Sequence, residues 1–308
     1  MPPPDPAFIG VDWGTSSFRA YLADREGGAL DAVDRPQGAL SLAKGAHEAF
    51  LADCVAPWRE RHGALPVVMS GMVGARSGWR EAPYATTPCT LMDLAAASVT
   101  LSSPRVGPIR LIPGLSTFDA SGAPDVMRGE ETQVFGAMAA LGISDGRFIL
   151  PGTHSKWVHV AGGSILSFAS FMTGEVFAAL KGHSILGALM SGAGAQGEGF
   201  AQGLRAASRL RAPGDLLNAI FKTRTLGLFE KLPPDQLADY LSGLLIGAEL
   251  LSGLGEAKGA IVVGAADLTR RYCEAGRRLG VALSPAPANC VLLGQAALLR
   301  HWRATATG

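Results

Sequence analysis

Two stretches of this chain follow one grammar, and few folds accommodate both. The first is Phe8-Ile9-Gly10-Val11-Asp12-Trp13-Gly14-Thr15-Ser16-Ser17, after which alternation resumes at Phe18, Ala20 and Leu22. An apolar run, a glycine turn and renewed alternation predict a strand pair joined by a tight turn. Glycine lets the turn approach a ligand closely, and backbone N–H groups around it can point at phosphate oxygens. Asp12 is the type of residue that holds a hydrated magnesium ion, which takes only one or two carboxylates. Alone, the turn is equally consistent with a structural hairpin, since Asp and Gly are common there. The second stretch, Phe148-Ile149-Leu150-Pro151-Gly152-Thr153-His154-Ser155-Lys156-Trp157-Val158, repeats the pattern and weighs against that. Two phosphate hairpins, one early and one central, imply two related lobes closing on one polyphosphate.

Composition narrows the partners. A chain of 308 residues has room for two domains and a sizeable core. Its net charge of +1 argues against a nucleic-acid-binding surface. The start, Met1-Pro2-Pro3-Pro4-Asp5-Pro6, lacks a basic and apolar export signal, and no apolar run approaches a membrane span. Cys54, Cys89, Cys273 and Cys290 have no zinc-like spacing and read as reduced thiols. A soluble cytoplasmic protein is expected, with no nucleic-acid or membrane partner and a homodimer left open.

Between the hairpins, Lys44–His62 has helical spacing, with a bend or break expected at Pro57. Leu65–Met69 reads as a buried strand delivering a loop, Ser70–Tyr84, at its carboxyl end, where ligands of open α/β sheets gather. Thr90–Leu101 reads as a helix and Ser116–Asp125 as a linker. Glu130-Glu131 opens a further helix, and an acidic first turn there complements the helix dipole. After the second hairpin, Gly194 to Leu251 is mostly helical. A strand, Gly259–Val263, then runs into Gly264-Ala265-Ala266-Asp267. The expected division is 1–125 and 126–308.

Three blocks together resemble the 2-dehydro-3-deoxygalactonokinase family, within the actin, Hsp70 and sugar-kinase superfamily. They are Ser70–Tyr84, Met127-Arg128-Gly129-Glu130-Glu131-Thr132-Gln133 and Pro151-Gly152-Thr153-His154-Ser155-Lys156-Trp157. The resemblance implies a two-lobed α/β actin-like ATPase (ribonuclease H-like) fold with a duplicated phosphate-hairpin domain. It implies an ATP- and Mg2+-dependent kinase acting on the terminal C6 hydroxyl of 2-dehydro-3-deoxy-D-galactonate, in galactonate catabolism. Gly14, Thr15, Ser16 and Ser17 would then grip phosphate, with Gly152, Thr153, Ser155 and Lys156 doing so from the second hairpin. Gly264 and Ala265 would cover adenosine. Pro151 stands where the superfamily commonly has an acid, which leaves Asp12 as the metal residue.

For the sugar acid, the resemblance points to Gly71, Met72, Arg76, Trp79, Tyr84 and Arg128, with Arg76 or Arg128 on the carboxylate. Trp79 could stack on the substrate or anchor its loop. Position before the second hairpin makes Glu130 the first choice for the base and Glu131 the second. Two rivals stay open: a kinase of another keto-deoxy sugar acid, and a nucleotide-binding sensor without turnover.

Overall fold

The computed structural model describes residues 4–191, 197–255 and 257–306. Helical residues expected from Gly194 begin outside them. Contacts divide the chain into two units: residues 1–145, 159–168 and 287–308, and residues 146–158 and 169–286. In chain order the elements are β1 (Phe8–Trp13), β2 (Phe18–Ala23), β3 (Ala29–Arg35), α1 (His47–His62) and β4 (Val67–Ser70). There follow β5 (Ala85–Thr86), β6 (Cys89–Thr90), α2 (Leu91–Ala96), β7 (Val99–Ser103) and β8 (Gly107–Leu111). Next come β9 (Leu115–Phe118), β10 (Pro124–Met127), α3 (Glu130–Leu141), β11 (Gly146–Leu150), β12 (Ser155–Ala161) and β13 (Ser164–Phe171). The remainder is α4 (Thr173–His183), α5 (Glu198–Ala207), α6 (Asp215–Leu228), α7 (Pro234–Gly253), β14 (Gly259–Val262), α8 (Ala266–Leu279), β15 (Ala282–Pro285) and α9 (Cys290–Ala306).

The first unit is built on a sheet ordered β3-β2-β1-β4-β8-β7. β1 pairs antiparallel with β2 and parallel with β4, so the first hairpin sits beside a parallel strand end. Alternation in β2 buries Phe18, Ala20 and Leu22 while Arg19 stays exposed, as a strand with one face on the core requires. Ile9, Val11, Trp13, Leu51, Val55, Met69 and Ile109 form the core around this sheet.

The second unit carries β11, β14 and β15 in parallel, with the start of β12 beside β11. Helices α5, α7 and α8 pack on it through Phe200, Leu204, Ile246, Leu250 and Tyr272. A mixed sheet flanked by helices in each unit is the arrangement of the actin-like ATPase fold.

Of the bend or break expected at Pro57, the break is absent: α1 runs through it, forfeiting one hydrogen bond, with Val55 and Trp58 buried on either side. Local readings fail in three further places. Helix α2 stops after six residues, and the β-branched pair Val99-Thr100 starts β7 instead. The expected linker is a hairpin: β9 and β10 pair antiparallel, and Asp119 closes their turn by accepting from the N–H groups of Ser121 and Ala123. The division also does not fall at 125/126. Helix α3 belongs to the first unit because it packs on α9, where a Cβ on Gly136 would lie 1.8 Å from the Cys290 carbonyl. That contact takes the chain's last helix into the same unit. Among the described residues, no helix is long and apolar enough to cross a membrane.

Candidate active site

In the first unit, Asp12 stands at the carboxyl end of β1, opposite Arg19 on β2 and Ser70 on β4. The turn after it is closed by the Gly14 N–H donating to the Ser17 carbonyl at 2.9 Å. Trp13, fully buried, clamps the turn from below. Its Nε1 donates to the Gln37 carbonyl, and its ring packs on Phe18, His47 and Phe50 at 4.9 to 5.5 Å. Thr15 and Ser16 stay exposed. Burial pushes the Asp12 carboxyl up from its ordinary range, and the Arg19 charge pulls it partly back. Among the described residues no three His, Cys, Asp or Glu side chains converge as a metal cage. One half-buried carboxylate beside exposed hydroxyls suits magnesium, which keeps its waters and takes its remaining oxygens from phosphate.

Two glycines bring further groups to this strand end. Gly71 follows β4 with φ +100°, and a Cβ there would lie 2.7 Å from the Trp13 carbonyl. Gly129, with φ +109°, has its own Cβ position 3.2 Å from the Gly71 Cα. The end of β1, the end of β4 and the start of α3 are therefore in backbone contact. Here both glutamates turn back on the chain. Glu130 Oε2 accepts from the Arg128 N–H at 3.0 Å, and Glu131 Oε2 from the Gly129 N–H at 2.7 Å. Glu131 also accepts from Thr132 Oγ1 at 2.9 Å and is fully buried. Burial first, and the Glu130 charge second, push its pKa up to about 8. Glu130 is only half-buried.

The Ser70–Tyr84 loop separates the sugar-acid candidates. Arg128 is 8% exposed, its Nη2 donates to the Ala82 carbonyl at 2.9 Å, and the Tyr84 ring lies 4.3 Å from its Cζ. Its Nε and Nη1 are buried with no hydrogen-bond partner. Arg76 is exposed and Met72 half-buried. Trp79 anchors its loop, its ring stacked on His47 at 6.2 Å and 6.5 Å from Trp13. Gln295 on α9 was missed by sequence reasoning. Its Nε2 donates to the Val11 carbonyl at 2.9 Å and to Ser70 Oγ at 3.0 Å, tying β1 to β4 behind the site. The available signal was one amide inside the apolar run Val291–Leu299.

The second hairpin is built differently. Thr153 and His154 are exposed, and His154 Nε2 pairs with the Glu175 carboxylate. The N-terminus of α4 lies against the turn: a Cβ on Gly174 would fall 2.3 Å from the Gly152 carbonyl, so only glycine fits. Ser155 and Lys156, expected to grip phosphate, make contacts within the fold. Both are buried, Ser155 Oγ donates to Glu249 Oε1 at 2.7 Å, and Lys156 Nζ donates to Ser170 Oγ. Both faces of β12 are covered at this end: Ser155 shares one with buried Trp157, and Lys156 lies on the other with buried Val158.

Gly264, at φ +154°, ends β14 next to the Pro151 carbonyl, and Ala265 precedes α8. Beside them a cavity of about 220 Å³ is lined by Gly152, Thr173, Asp239, Leu268, Arg271 and Tyr272 among others. Arg271 is held flat in its wall. It ion-pairs with Asp239, its Nε donates to Ser242 Oγ at 2.9 Å, and its Cζ lies 4.6 Å over the Phe200 ring.

A model of the 2-keto-3-deoxy-galactonokinase family matches residues 12–298. The probable 2-dehydro-3-deoxygalactonokinase DgoK1 of Rhizobium meliloti (strain 1021) is 38% identical over 86% of this chain and 87% of its own length. The 2-dehydro-3-deoxygalactonokinase of Escherichia coli (strain K12) is 34% identical over 89% and 90%. A solved Sinorhizobium meliloti structure, of a protein taken to be a 2-dehydro-3-deoxygalactonokinase, aligns with a TM-score of 0.87. It is 34% identical and covers 96% of this chain and 99% of that one.

Proposed function

Because the chain belongs to the 2-keto-3-deoxy-galactonokinase family, we propose that it transfers the γ-phosphoryl group of ATP to the C6 hydroxyl of 2-dehydro-3-deoxy-D-galactonate. The observation that carries this reading is the meeting of Asp12, Gly71 and Gly129–Glu131 at the carboxyl ends of β1 and β4. Phosphoryl transfer needs little covalent help from protein. It needs an acceptor hydroxyl held in line, a carboxylate to take its proton, and donors around the phosphates.

Glu130 is the base, since it keeps accessible surface while Glu131 is sealed and titrates near 8. As the C6 oxygen bonds to the γ-phosphorus and ADP leaves, the hydroxyl proton passes to Glu130. Asp12 holds magnesium, which when bound neutralises phosphate charge. The turn of Gly14, Thr15, Ser16 and Ser17 offers donors to phosphate oxygens, and the Gly152-Thr153 turn offers a further set. The cavity beside Gly264 and Ala265 takes the nucleoside.

Arg128 is the better receiver of the sugar acid's carboxylate. Two guanidinium donors buried without partners are costly, and an anion reaching them would remove that cost. Tyr84 lies against its guanidinium, and Gly71, Met72 and exposed Arg76 would complete the sugar-acid site. A cytoplasmic setting is part of the proposal, since the cosubstrate is ATP. A coupled ADP-release assay over a panel of 3-deoxy-2-keto sugar acids tests it. The galactonate derivative should give the highest kcat/KM. A higher value for the gluconate-derived epimer reassigns the substrate, and no acceptor-stimulated ADP release from any acid leaves a sensor.

A further inference from the structure

Among the described residues the second unit buries two carboxylates that the reaction as described does not use, and one of them, Asp239, is paired with Arg271. Glu249, on α7, is 3% exposed, and its two oxygens serve different elements. Oε1 accepts from Ser155 Oγ at 2.7 Å and Trp157 Nε1 at 2.9 Å, both on β12 directly after the phosphate turn. Oε2 accepts from the Tyr272 hydroxyl at 2.6 Å, on α8. Tyr272 lines the cavity, and its hydroxyl is also hydrogen-bonded with Ser155 and with Thr173 at the start of α4. Burial, and then the Glu249 charge, push that phenol well above its ordinary range, so it stays a donor at any working pH. A carboxylate this deep is tolerable only with its lone pairs supplied, and apolar side chains would fill the same volume at lower cost.

We propose that Glu249 is a positioning residue for the nucleotide. One oxygen fixes the phosphate turn, the other fixes the cavity wall, and the carboxylate holds the two in a single register. The inference rests on the nucleotide-binding reading of this unit. It differs from an ordinary core contact in that its two arms, although Ser155 and Tyr272 also touch each other, make distinguishable predictions. Removing the Tyr272 arm loosens mainly the nucleoside wall. Removing the Ser155 arm loosens mainly the turn.

The test uses the full chain, with steady-state kinetics and calorimetric ADP binding in the absence of acceptor. Tyr272→Phe should raise the ADP Kd and the KM for ATP about five-fold with kcat within about two-fold, a loss of ground-state binding. Ser155→Ala should lower kcat about ten-fold with a smaller change in KM for ATP. Glu249→Gln keeps an acceptor toward Ser155 and Trp157 but turns an amide N–H toward Tyr272, so it should resemble Tyr272→Phe. KM for the sugar acid should stay constant in all three. If the variants lose only melting temperature, with ADP affinity, KM and kcat of the parent, the positioning role is overturned. Should Glu249→Gln fail to fold, the other two variants decide. Because ADP binding is read without acceptor, a chain that binds ADP yet phosphorylates no sugar acid overturns the kinase reading and leaves this one standing.

Discussion

The two hairpins share a sequence pattern and use it in opposite directions. In the first, the polar groups of the turn face outward: Asp12 is half-buried, Thr15 and Ser16 are exposed, and the aromatic ring of Trp13 supplies the support. In the second, Ser155 and Lys156 face inward, Pro151 stands where a carboxylate could, and a buried acid supplies the support. Similar turns can therefore split the work. On the proposed function, the first unit would carry the charges that act on the reacting groups, and the second a frame for the nucleotide. The difference predicts that the largest kcat effects fall in the first unit, with effects on KM for ATP and at most about ten-fold effects on kcat in the second.

The strongest challenge to that division is Asp12→Asn. If this carboxylate holds magnesium, kcat should fall about 10³-fold with the melting temperature little changed. A fall under about ten-fold would mean that the first turn is no more charged in function than the second. Glu130→Gln comes next, with an expected loss of about 10²-fold in kcat while ADP still binds. If Glu130→Gln and Glu131→Gln both keep near-parental rates, neither residue is the base. Arg128→Ala should raise KM for the sugar acid about 30-fold, the range of a charge-assisted hydrogen bond, with KM for ATP unmoved. In the second unit, Thr153→Ala should raise KM for ATP about three-fold, because the turn's backbone N–H groups remain. Should it depress kcat as far as Asp12→Asn does, the contrast between hairpins is lost.

How much of this was legible follows from what each residue's role depends on. The strand pairs around both turns could be read because alternation and glycine turns are local signals. The orientation of Ser155 could not, because its partner Glu249 lies 94 positions away and sits in a helix that reads as structural. The membership of α3 was hidden for a similar reason: its contact with α9 joins segments more than 150 residues apart. The sequence favours Arg76 for the carboxylate over Arg128, and only burial separates a guanidinium under a tyrosine ring from one in solvent. The pair Glu130-Glu131 likewise reads as one acidic first turn, although a single step along a helix rotates a side chain from the surface to the core.

That last pair gives the smallest effect on rate and the sharpest on pH. Glu131 titrates near 8 in the folded chain, against 4.5 for an ordinary glutamate. Between these values the folded chain keeps a proton that the unfolded chain gives up. Its contribution to stability is therefore complete below about pH 4.5 and is lost as pH rises through 8. Glutamine mimics the protonated form at every pH. Glu131→Gln should thus change kcat at pH 7 by less than about three-fold, while flattening the decline of melting temperature between pH 5 and 9. Thermal melts of parent and variant across that range check it. Parallel curves would mean that Glu131 is ionised in the folded chain, and a second charged carboxylate would then compete with Glu130 for the role of base.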